Sequence, residues 1–411
     1  MKTFFLNFKT HLFLLLIAMV WLLVVVFIFQ INAQTFTFGD STSYYLAAVD
    51  LYQKGILNDH RPLVISAING LPLAFGFENS AIYTWSLIVN LSCWLATLLL
   101  IFTIAKRYVS QKLAFLVSVF FIFCLGNLFI TFHLLSETVF TFCLLLVLYL
   151  IQKHLETKKI NFLIYATSLL ILAIMIKPLS LLLVIIILLF FYKKAMKLFT
   201  SKHSIVIYLS GCVLLFQLFT LKKEFGNFTV SYIDAFTYYN YLGTRADCLQ
   251  HNVLFEQGKN ERYVYFSTLS PSQQKEVAAA DFKQQLTNNT VNLGKAYFIN
   301  LWINATKGSA SVFGCENKAN TSYFIPFQML FKSIAKVQNI VLTSIGLALS
   351  LLTLVRWKRA DLFFKISSIV ILYVVIISAI SSDQGDRFHI VLYPIILLLL
   401  AHFYQKKQIH D

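Results

Sequence analysis

Apolar residues in this chain fall in long unbroken runs separated by polar connections. A helix that crosses a bilayer needs about 20 predominantly apolar residues, with a range of about 17–25. Leu12–Ile31 qualifies, with Gln30 its one strongly polar member. Further runs follow at Ala81–Ala105, Leu113–Phe132, Thr138–Ile151, Phe162–Ile176, Leu179–Tyr192, Ile205–Leu221, Val337–Val355, Leu362–Ile380 and Phe388–Tyr404. The pattern predicts an all-α multi-pass membrane protein of about ten transmembrane helices. The run after Lys9 is long enough to span and lacks a small-residue cleavage site, so it reads as a retained span and not as a signal peptide.

Phe162–Tyr192 admits a second reading, one long helix kinked at Pro178, and the basic residues decide between the two. Lys106/Arg107/Lys112, Lys153/Lys158/Lys159, Lys193/Lys194/Lys197/Lys202, Arg356/Lys358/Arg359 and Lys406/Lys407 occupy alternate connections. With ten spans and a cytoplasmic N-terminus every cluster lands inside; with nine, everything after residue 192 is inverted. Ten spans also places the C-terminus in the cytoplasm. Three parts result: a membrane core over 1–221 with a first outer loop at 32–80, a large outer loop over 222–336, and C-terminal membrane helices over 337–411.

Composition agrees. Of 411 residues 58% are hydrophobic and 13% charged, against about 45–50% and about 25% for soluble domains. That excludes a cytosolic enzyme, a disulfide scaffold and a disordered interactor. A net charge of +16 would suit a polyanion binder. Here, however, the inner side holds 17 Lys/Arg against 3 Asp/Glu, and the outer side 16 against 15, with Lys365 just inside a span. The excess is the positive-inside signature, and no nucleic-acid partner is implied.

Within the large outer loop, Ser270-Pro271-Ser272-Gln273 combines an N-cap, a proline at the first helical position and a capping-box glutamine, predicting a helix to about Leu286. Asn292–Lys307 is aromatic-rich and suits the membrane surface. Asn-x-Ser/Thr sites begin at Asn227, Asn288, Asn304 and Asn320 and matter only in a eukaryotic secretory setting. Cys93, Cys124, Cys143 and Cys212 lie in apolar runs and read as small hydrophobes. Cys248 and Cys315 lie in the outer loop, where a disulfide or two free thiols are equally open.

Ionisable residues gather on the outer face. Thr138–Ile151 and the two runs after it supply helices of about 14 or 15 residues, roughly 21–23 Å at 1.5 Å per residue, against a core about 30 Å thick. Their outer turns, at Glu137 and Lys177, should sit recessed, where a charge is costly and marks a substrate or ion site unless it snorkels to the interface. In the first outer loop, Gly39-Asp40-Ser41-Thr42-Ser43-Tyr44-Tyr45 precedes an amphipathic pattern at Tyr45, Ala48, Val49 and Tyr52, predicting an interfacial helix. His60-Arg61-Pro62-Leu63 follows. Asp40 could cap that helix and Arg61 could meet lipid headgroups. Asp383-Gln384-Gly385-Asp386-Arg387-Phe388 opens the last run, with Tyr393-Pro394 after it. An arginine on the outer side runs against the positive-inside rule, which points to a specific anion. His133 and Glu137, at i and i+4, share a face if their turn is helical, a weak pointer to a metal.

Sugar transfer from a lipid phosphate needs a carboxylate to take the proton of the attacking hydroxyl, cations or a divalent ion to neutralise the departing phosphate, and a lipid-accessible groove. Asp40, Glu137, Lys177, Arg61 and Arg387 supply that inventory. These residues resemble the GT-C-fold glycosyltransferases, in particular the polyprenyl-phosphate-sugar-dependent branch that includes the protein O-mannosyltransferases and the lipid A aminoarabinose transferases. The matching pieces are Asp40 with Tyr44/Tyr45 and Ala47/Ala48, then Gly55 and Arg61-Pro62-Leu63. With them go Leu135-Ser136-Glu137-Thr138-Val139-Phe140, Ile176-Lys177-Pro178-Leu179, and Asp386-Arg387-Phe388 with Pro394. They cover most of the first 190 residues and the last 30. The resemblance implies a GT-C-like fold, to which the amphipathic and capping patterns above add interfacial helices in the first outer loop and a mostly helical large outer loop. It implies Asp40 as catalytic base; Arg61, Lys177 and Arg387, with Tyr44 of the same motif, as substrate-binding residues; and Glu137 either at a divalent cation (Mg or Mn) or positioning the donor phosphate, with His133 a candidate second metal ligand by its i, i+4 spacing alone. The chain departs from the family pattern in Leu63, where a second proline is usual, and in Glu137, where many members have Asp. It has no Trp-Trp-Asp-Tyr-Gly, and residues 222–336 resemble nothing in the family.

The expected function is an inverting glycosyltransferase of a bacterial inner membrane. It would take a sugar from undecaprenyl phosphate and give it, on the outer face, to an envelope glycan, lipid or protein such as lipopolysaccharide or O-antigen. The alternatives are an O-antigen polymerase or ligase, a transporter or flippase of lipid-linked substrates without covalent chemistry, and a structural membrane subunit in which the charged turns are packing pairs such as Glu137 with Lys177.

Overall fold

The structure is a computed structural model that describes residues 2–32, 39–308, 310–318, 320–382 and 384–410. It is all-helical, with no β-strand among the described residues. The helices before the large outer loop are α1 (Lys2–Phe29), α2 (Ser41–Val49), α3 (Leu63–Ala74), α4 (Ala81–Ala105), α5 (Gln111–Ile122), α6 (Leu125–Ile130), α7 (Glu137–Thr157), α8 (Ile160–Ile174), α9 (Leu181–Phe190), α10 (Ala195–Thr200) and α11 (Ile205–Phe225). The loop carries α12 (Ile233–Thr237), α13 (Thr244–His251), α14 (Glu261–Ser267), α15 (Pro271–Asn288), α16 (Thr290–Thr306) and α17 (Ala310–Phe313). The chain closes with α18 (Phe324–Val355), α19 (Leu362–Ser378) and α20 (Tyr393–His410).

Six stretches are long and apolar enough to cross a membrane: Lys9–Phe29, Ala81–Ala105, Glu137–Thr157, Lys202–Phe225, Phe324–Val355 and Gly385–Gln408. The chain is therefore a multi-pass membrane protein. A seventh crossing arises if Pro178–Phe190 and Tyr192–Thr200, bent by 76°, are one broken span. Helices α5, α8 and α19 are apolar but shorter. The chain does break at Lys177, which is extended (φ −146°, ψ 112°) before a 3₁₀ turn at Pro178–Ser180, so residues 162–192 form two helices and not one kinked rod.

Side-chain burial explains which helices face what. In α1, Leu14, Ala18, Val25 and Phe29 form a buried stripe, while Leu16, Val20, Leu23 and Phe27 stand bare on the opposite side. A helix with one packed stripe and an apolar exposed face is suited to lipid. The first turns of α20 are buried all round, from Tyr393 through Leu399, which places this helix in the middle of the bundle. The run Leu113–Phe132 is divided at Cys124, between α5 and α6. Gln338 from α18 fills the break, its Oε1 accepting from the Leu125 amide at 2.9 Å and its Nε2 donating to the Phe123 carbonyl at 2.7 Å. A helix broken at membrane depth needs such a substitute for its lost backbone bonds.

The outer loop folds over the membrane helices. The capping box at Ser270 and Gln273 forms as expected and starts α15. One face of α16 exposes Val291, Phe298 and Trp302, while the other buries Asn300 and Asn304. Because Asn304 donates to the carbonyls of Ser378 and Ser381, at 2.8 and 2.9 Å, its amide is closed to glycosylation. Cys248 and Cys315 are both buried free thiols, not a disulfide.

Candidate functional site

Four segments distant in sequence converge on one ionic cluster. The first is the turn before α2. Asp40 occupies the N-cap position, yet its side chain caps no amide. Its carboxylate instead accepts from Arg61 Nη2 at 3.1 Å through Oδ1, and from Arg387 Nη1 through Oδ2. Arg61 is held from three sides. Its amide donates to Asn58 Oδ1 at 2.8 Å, its Nε donates to Ser43 Oγ at 2.8 Å, and its guanidinium lies 4.2 Å from the centre of the Tyr44 ring. The Tyr44 hydroxyl and Ser136 Oγ are hydrogen-bonded at 2.9 Å, tying α2 to the start of α7. The buried face of α2 is Ser41, Tyr44, Ala47 and Ala48, turned from the face expected at Tyr45, Ala48, Val49 and Tyr52. Asp40 and Arg61 draw Tyr44 inward, and Tyr45 stacks on Tyr83 instead.

The second and third segments supply Glu137 and Lys177. Glu137 is the first residue of α7, where the helix dipole favours a carboxylate. Its side chain is 1% exposed. Oε1 accepts from Lys177 Nζ at 2.9 Å and from Arg387 Nε at 2.6 Å. Oε2 has no hydrogen-bond partner among the described residues. The fourth segment is the 3₁₀ turn Gly385–Phe388, which presents Arg387 between the two carboxylates, one nitrogen to each. Gln384 in the same segment accepts from Arg387 Nη1 at 3.0 Å and donates to the Tyr241 hydroxyl at 3.3 Å. Asp383, which belongs to the same sequence motif, lies outside the described residues.

The cluster contains three cations and two carboxylates, and so carries one net positive charge. It lies in a cavity of about 690 Å³ lined by Asp40, Tyr44, Arg61, Glu137, Lys177 and Arg387. Leu179 just before α9 and Leu181 and Leu182 in its first turn, with Tyr373 and Ile377 of α19, continue the wall. Leu181 and Leu182 are about half exposed on the outer surface of the bundle, so the apolar arm of the cavity reaches the side that faces lipid. The outer loop covers the other side with Phe236, Tyr238 and Tyr241 and with Ala278 and Phe282 of α15.

Burial pushes the Asp40 carboxyl upward, but the Arg387 and Arg61 guanidinium groups outweigh it and hold that carboxyl below the ordinary aspartate value. At 32% side-chain exposure, Asp40 is the carboxylate open to the cavity, whereas Glu137 is sealed beneath it. The two carboxylates therefore differ in role: Asp40 can meet a substrate, and Glu137 anchors cations.

His133 does not join them. The residues before Glu137 form a turn and the helix begins only at Glu137, so the i, i+4 relation places no shared face. The His133 ring bonds through Nε2 to the Ser311 carbonyl at 2.8 Å, and its own carbonyl accepts from Asn90. Burial lowers its pKa to about 4. Among the described residues no three His, Cys, Asp or Glu side chains gather as a metal site. Asp40 and Glu137 are already engaged by three cations, and Glu137 Oε2 stays buried without a hydrogen-bond partner among the described residues.

Tyr241 carries no motif in the sequence, and Gln384, though part of the Asp383-Gln384-Gly385-Asp386-Arg387-Phe388 motif, has no role assigned to it there. They meet only because the outer loop folds back on the last membrane segment, where Gln257 also donates to the Tyr241 hydroxyl at 2.8 Å. Asn300 and Asn304 act behind the site. Asn300 donates to the Ala379 carbonyl at 3.0 Å, and together with Asn304 it satisfies the end of α19 that leads into Gln384 and Arg387. Asn304→Ala removes the donor of the buried Ser381 carbonyl and leaves the Ser378 carbonyl with the Ser381 amide alone, and is expected to cost about 1–3 kcal/mol. Thermal unfolding in detergent measures it; an unchanged midpoint would show that water replaces the amide.

No family model, curated protein or solved structure matches the chain.

Proposed function

We propose that this protein is a GT-C-like membrane glycosyltransferase that moves a sugar from a polyprenyl-phosphate donor, undecaprenyl phosphate in a bacterial inner membrane, to an envelope acceptor such as lipopolysaccharide, O-antigen or another surface glycan. In this reading there are ten spans, both termini are cytoplasmic, and the ionic cluster faces the outer side. One observation carries the proposal: the five charged residues singled out on chemical grounds meet in one cavity whose apolar arm runs to a lipid-facing surface.

The chemistry follows from the charges. A donor phosphodiester brings one negative charge to a cluster with one net positive charge. Its phosphate oxygens compete with Asp40 for Arg61 and Arg387, and as they take those donors the Asp40 carboxylate becomes free and more basic. The acceptor hydroxyl oxygen then attacks the anomeric carbon, and its proton passes to Asp40. The bond from that carbon to the phosphate oxygen breaks, and its electron pair leaves with the polyprenyl phosphate. That phosphate gains a second negative charge, which Arg61, Arg387 and Lys177 are already placed to meet. A single displacement inverts the anomeric centre. No step runs through a metal.

The direct test gives purified protein in nanodiscs radiolabelled undecaprenyl-phosphate sugars and envelope acceptors. The expected result is label on the acceptor, dependent on the protein and retained in EDTA. Label that appears only with lipid-linked oligosaccharides would replace this reading with a polymerase or ligase. Lipid-linked substrate that crosses the bilayer chemically unchanged would replace it with a flippase.

A further inference from the structure

At the end of α20 away from the ionic cluster, about 20 Å along the helix from Tyr393, lies a second cavity of about 760 Å³. Its floor is buried and partly apolar, formed by Thr353, Phe364 and His402, with the His402 ring stacked on Phe364 at 3.7 Å between centroids. Its rim carries Arg356 and Arg359, from the turn that ends α18, and Lys406 and Lys407, from the last turns of α20. None of these four makes an ion pair among the described residues. Asp361, at the start of α19, is close enough to interact with His402 and offsets only one of the four charges.

A positive-inside bias accounts for basic residues on this side, but it does not require them to converge on a hollow from two helix ends. Four like charges around one cavity repel one another unless an anion sits between them. The two arginines offer planar forks that match phosphate oxygens in pairs. Position selects the source of the phosphate. Stretches Phe324–Val355 and Gly385–Gln408 are both long and apolar enough to span, and both end here. Leu351 and Val355 stand exposed on α18 immediately before Arg356, Val355 at 84%, and Tyr404 is bare on α20. These residues offer acyl chains an apolar track leading directly to the cations.

We infer that this cavity binds the phosphate headgroup of an anionic phospholipid, with the headgroup among Arg356, Arg359, Lys406 and Lys407 and the chains along Leu351 and Val355. Basic pockets between membrane helices recognise such headgroups. The site is separate from the ionic cluster and does not depend on the proposed sugar transfer.

Native mass spectrometry of the full chain, delipidated in detergent and offered equal phosphatidylglycerol and phosphatidylcholine, tests this. Wild type is expected to retain phosphatidylglycerol preferentially. The combined variant Arg356→Gln/Arg359→Gln/Lys406→Gln/Lys407→Gln should lose at least tenfold of that retention. Lys193→Gln/Lys194→Gln/Lys197→Gln/Lys202→Gln removes the same charge elsewhere on the same side and should retain the lipid. Equal retention of the two lipids by wild type, or equal loss in both variants, would overturn the site in favour of diffuse charge. Pyrophosphate binding that the first variant abolishes, without lipid preference, would overturn the lipid and leave a soluble phosphate ligand. Should the fourfold variant fail to fold, Lys406→Gln/Lys407→Gln, confined to an exposed helix end, carries the same comparison with an expected loss of about threefold.

Discussion

Asp40→Asn is expected to lower sugar transfer by about 10² to 10⁴, the range that a positioned proton acceptor contributes, while the protein stays folded. The substitution keeps the shape of the side chain and one oxygen for Arg61 or Arg387, and removes only the charge and the basicity. Asp40 is partly open to the cavity, so the structural penalty is small beside the chemical one. The pH profile gives an independent check. Because the flanking guanidinium groups hold the Asp40 carboxyl below its ordinary value, the basic form is present above that depressed pKa and is lost as pH falls through it. The acid limb of kcat/KM, which reports the free enzyme, should therefore lie below the ordinary aspartate value of about 3.9. Near-normal transfer by the variant would remove Asp40 as the base, and an acid limb near pH 6 would point to another group.

The same residue illustrates what the sequence could reveal. An acidic residue before a helix has a local explanation as an N-cap, and nothing in the neighbouring residues excludes it. Only the tertiary partners, Arg61 in the same loop and Arg387 near the far end of the chain, draw the carboxylate away from the helix amides. What made Asp40, Arg61, Glu137, Lys177 and Arg387 legible is cost: charges beside apolar runs are too expensive to keep without a partner or a task. Their mutual arrangement was not legible, since it depends on the extended residue at Lys177 and the 3₁₀ turn at Gly385–Phe388. His133 was misplaced because its i, i+4 relation to Glu137 presupposed a helix that begins only at Glu137. Tyr241 belongs to no local pattern, and Gln384, although inside the Asp383-Gln384-Gly385-Asp386-Arg387-Phe388 motif, gives no local sign that it meets Tyr241 and Arg387.

Helix positions were read more closely than helix lengths. Every apolar run contains a helix, because continuous apolarity in lipid leaves the backbone no other way to satisfy its hydrogen bonds. The ends follow side-chain contacts that hydropathy does not register. The chain turns helical at Phe324 and not at Val337 because Phe324, Phe331 and Ala335 continue a buried stripe through a segment too polar to look like a span. Conversely, Cys124 divides a predominantly apolar run at a point where its neighbours are all apolar or glycine, and Gln338, more than 200 residues later, satisfies the break. Such long-range compensation is invisible to a local window.

Arg387 is expected to carry the largest stability effect in the chain. Its guanidinium is buried and bridges Glu137 and Asp40, so Arg387→Met leaves a sealed carboxylate with Lys177 alone and a second carboxylate with Arg61 alone. Removing one member of a buried ion set costs about 3–5 kcal/mol, because the remaining charge loses its compensation. Arg387→Lys restores the charge but not the geometry: a single ammonium group replaces a planar fork whose separate nitrogens reach the two carboxylates. It should therefore recover only part of the loss. Glu137→Gln in the Arg387→Met background is expected to regain stability, since it neutralises the carboxylate that the first change stranded, and this non-additivity separates an electrostatic role from simple packing. Unfolding midpoints of the four proteins in one detergent measure the cycle. Additive losses from the two changes would show that Arg387 stabilises by filling space, and would remove the charge balance on which phosphate exchange at Asp40 depends.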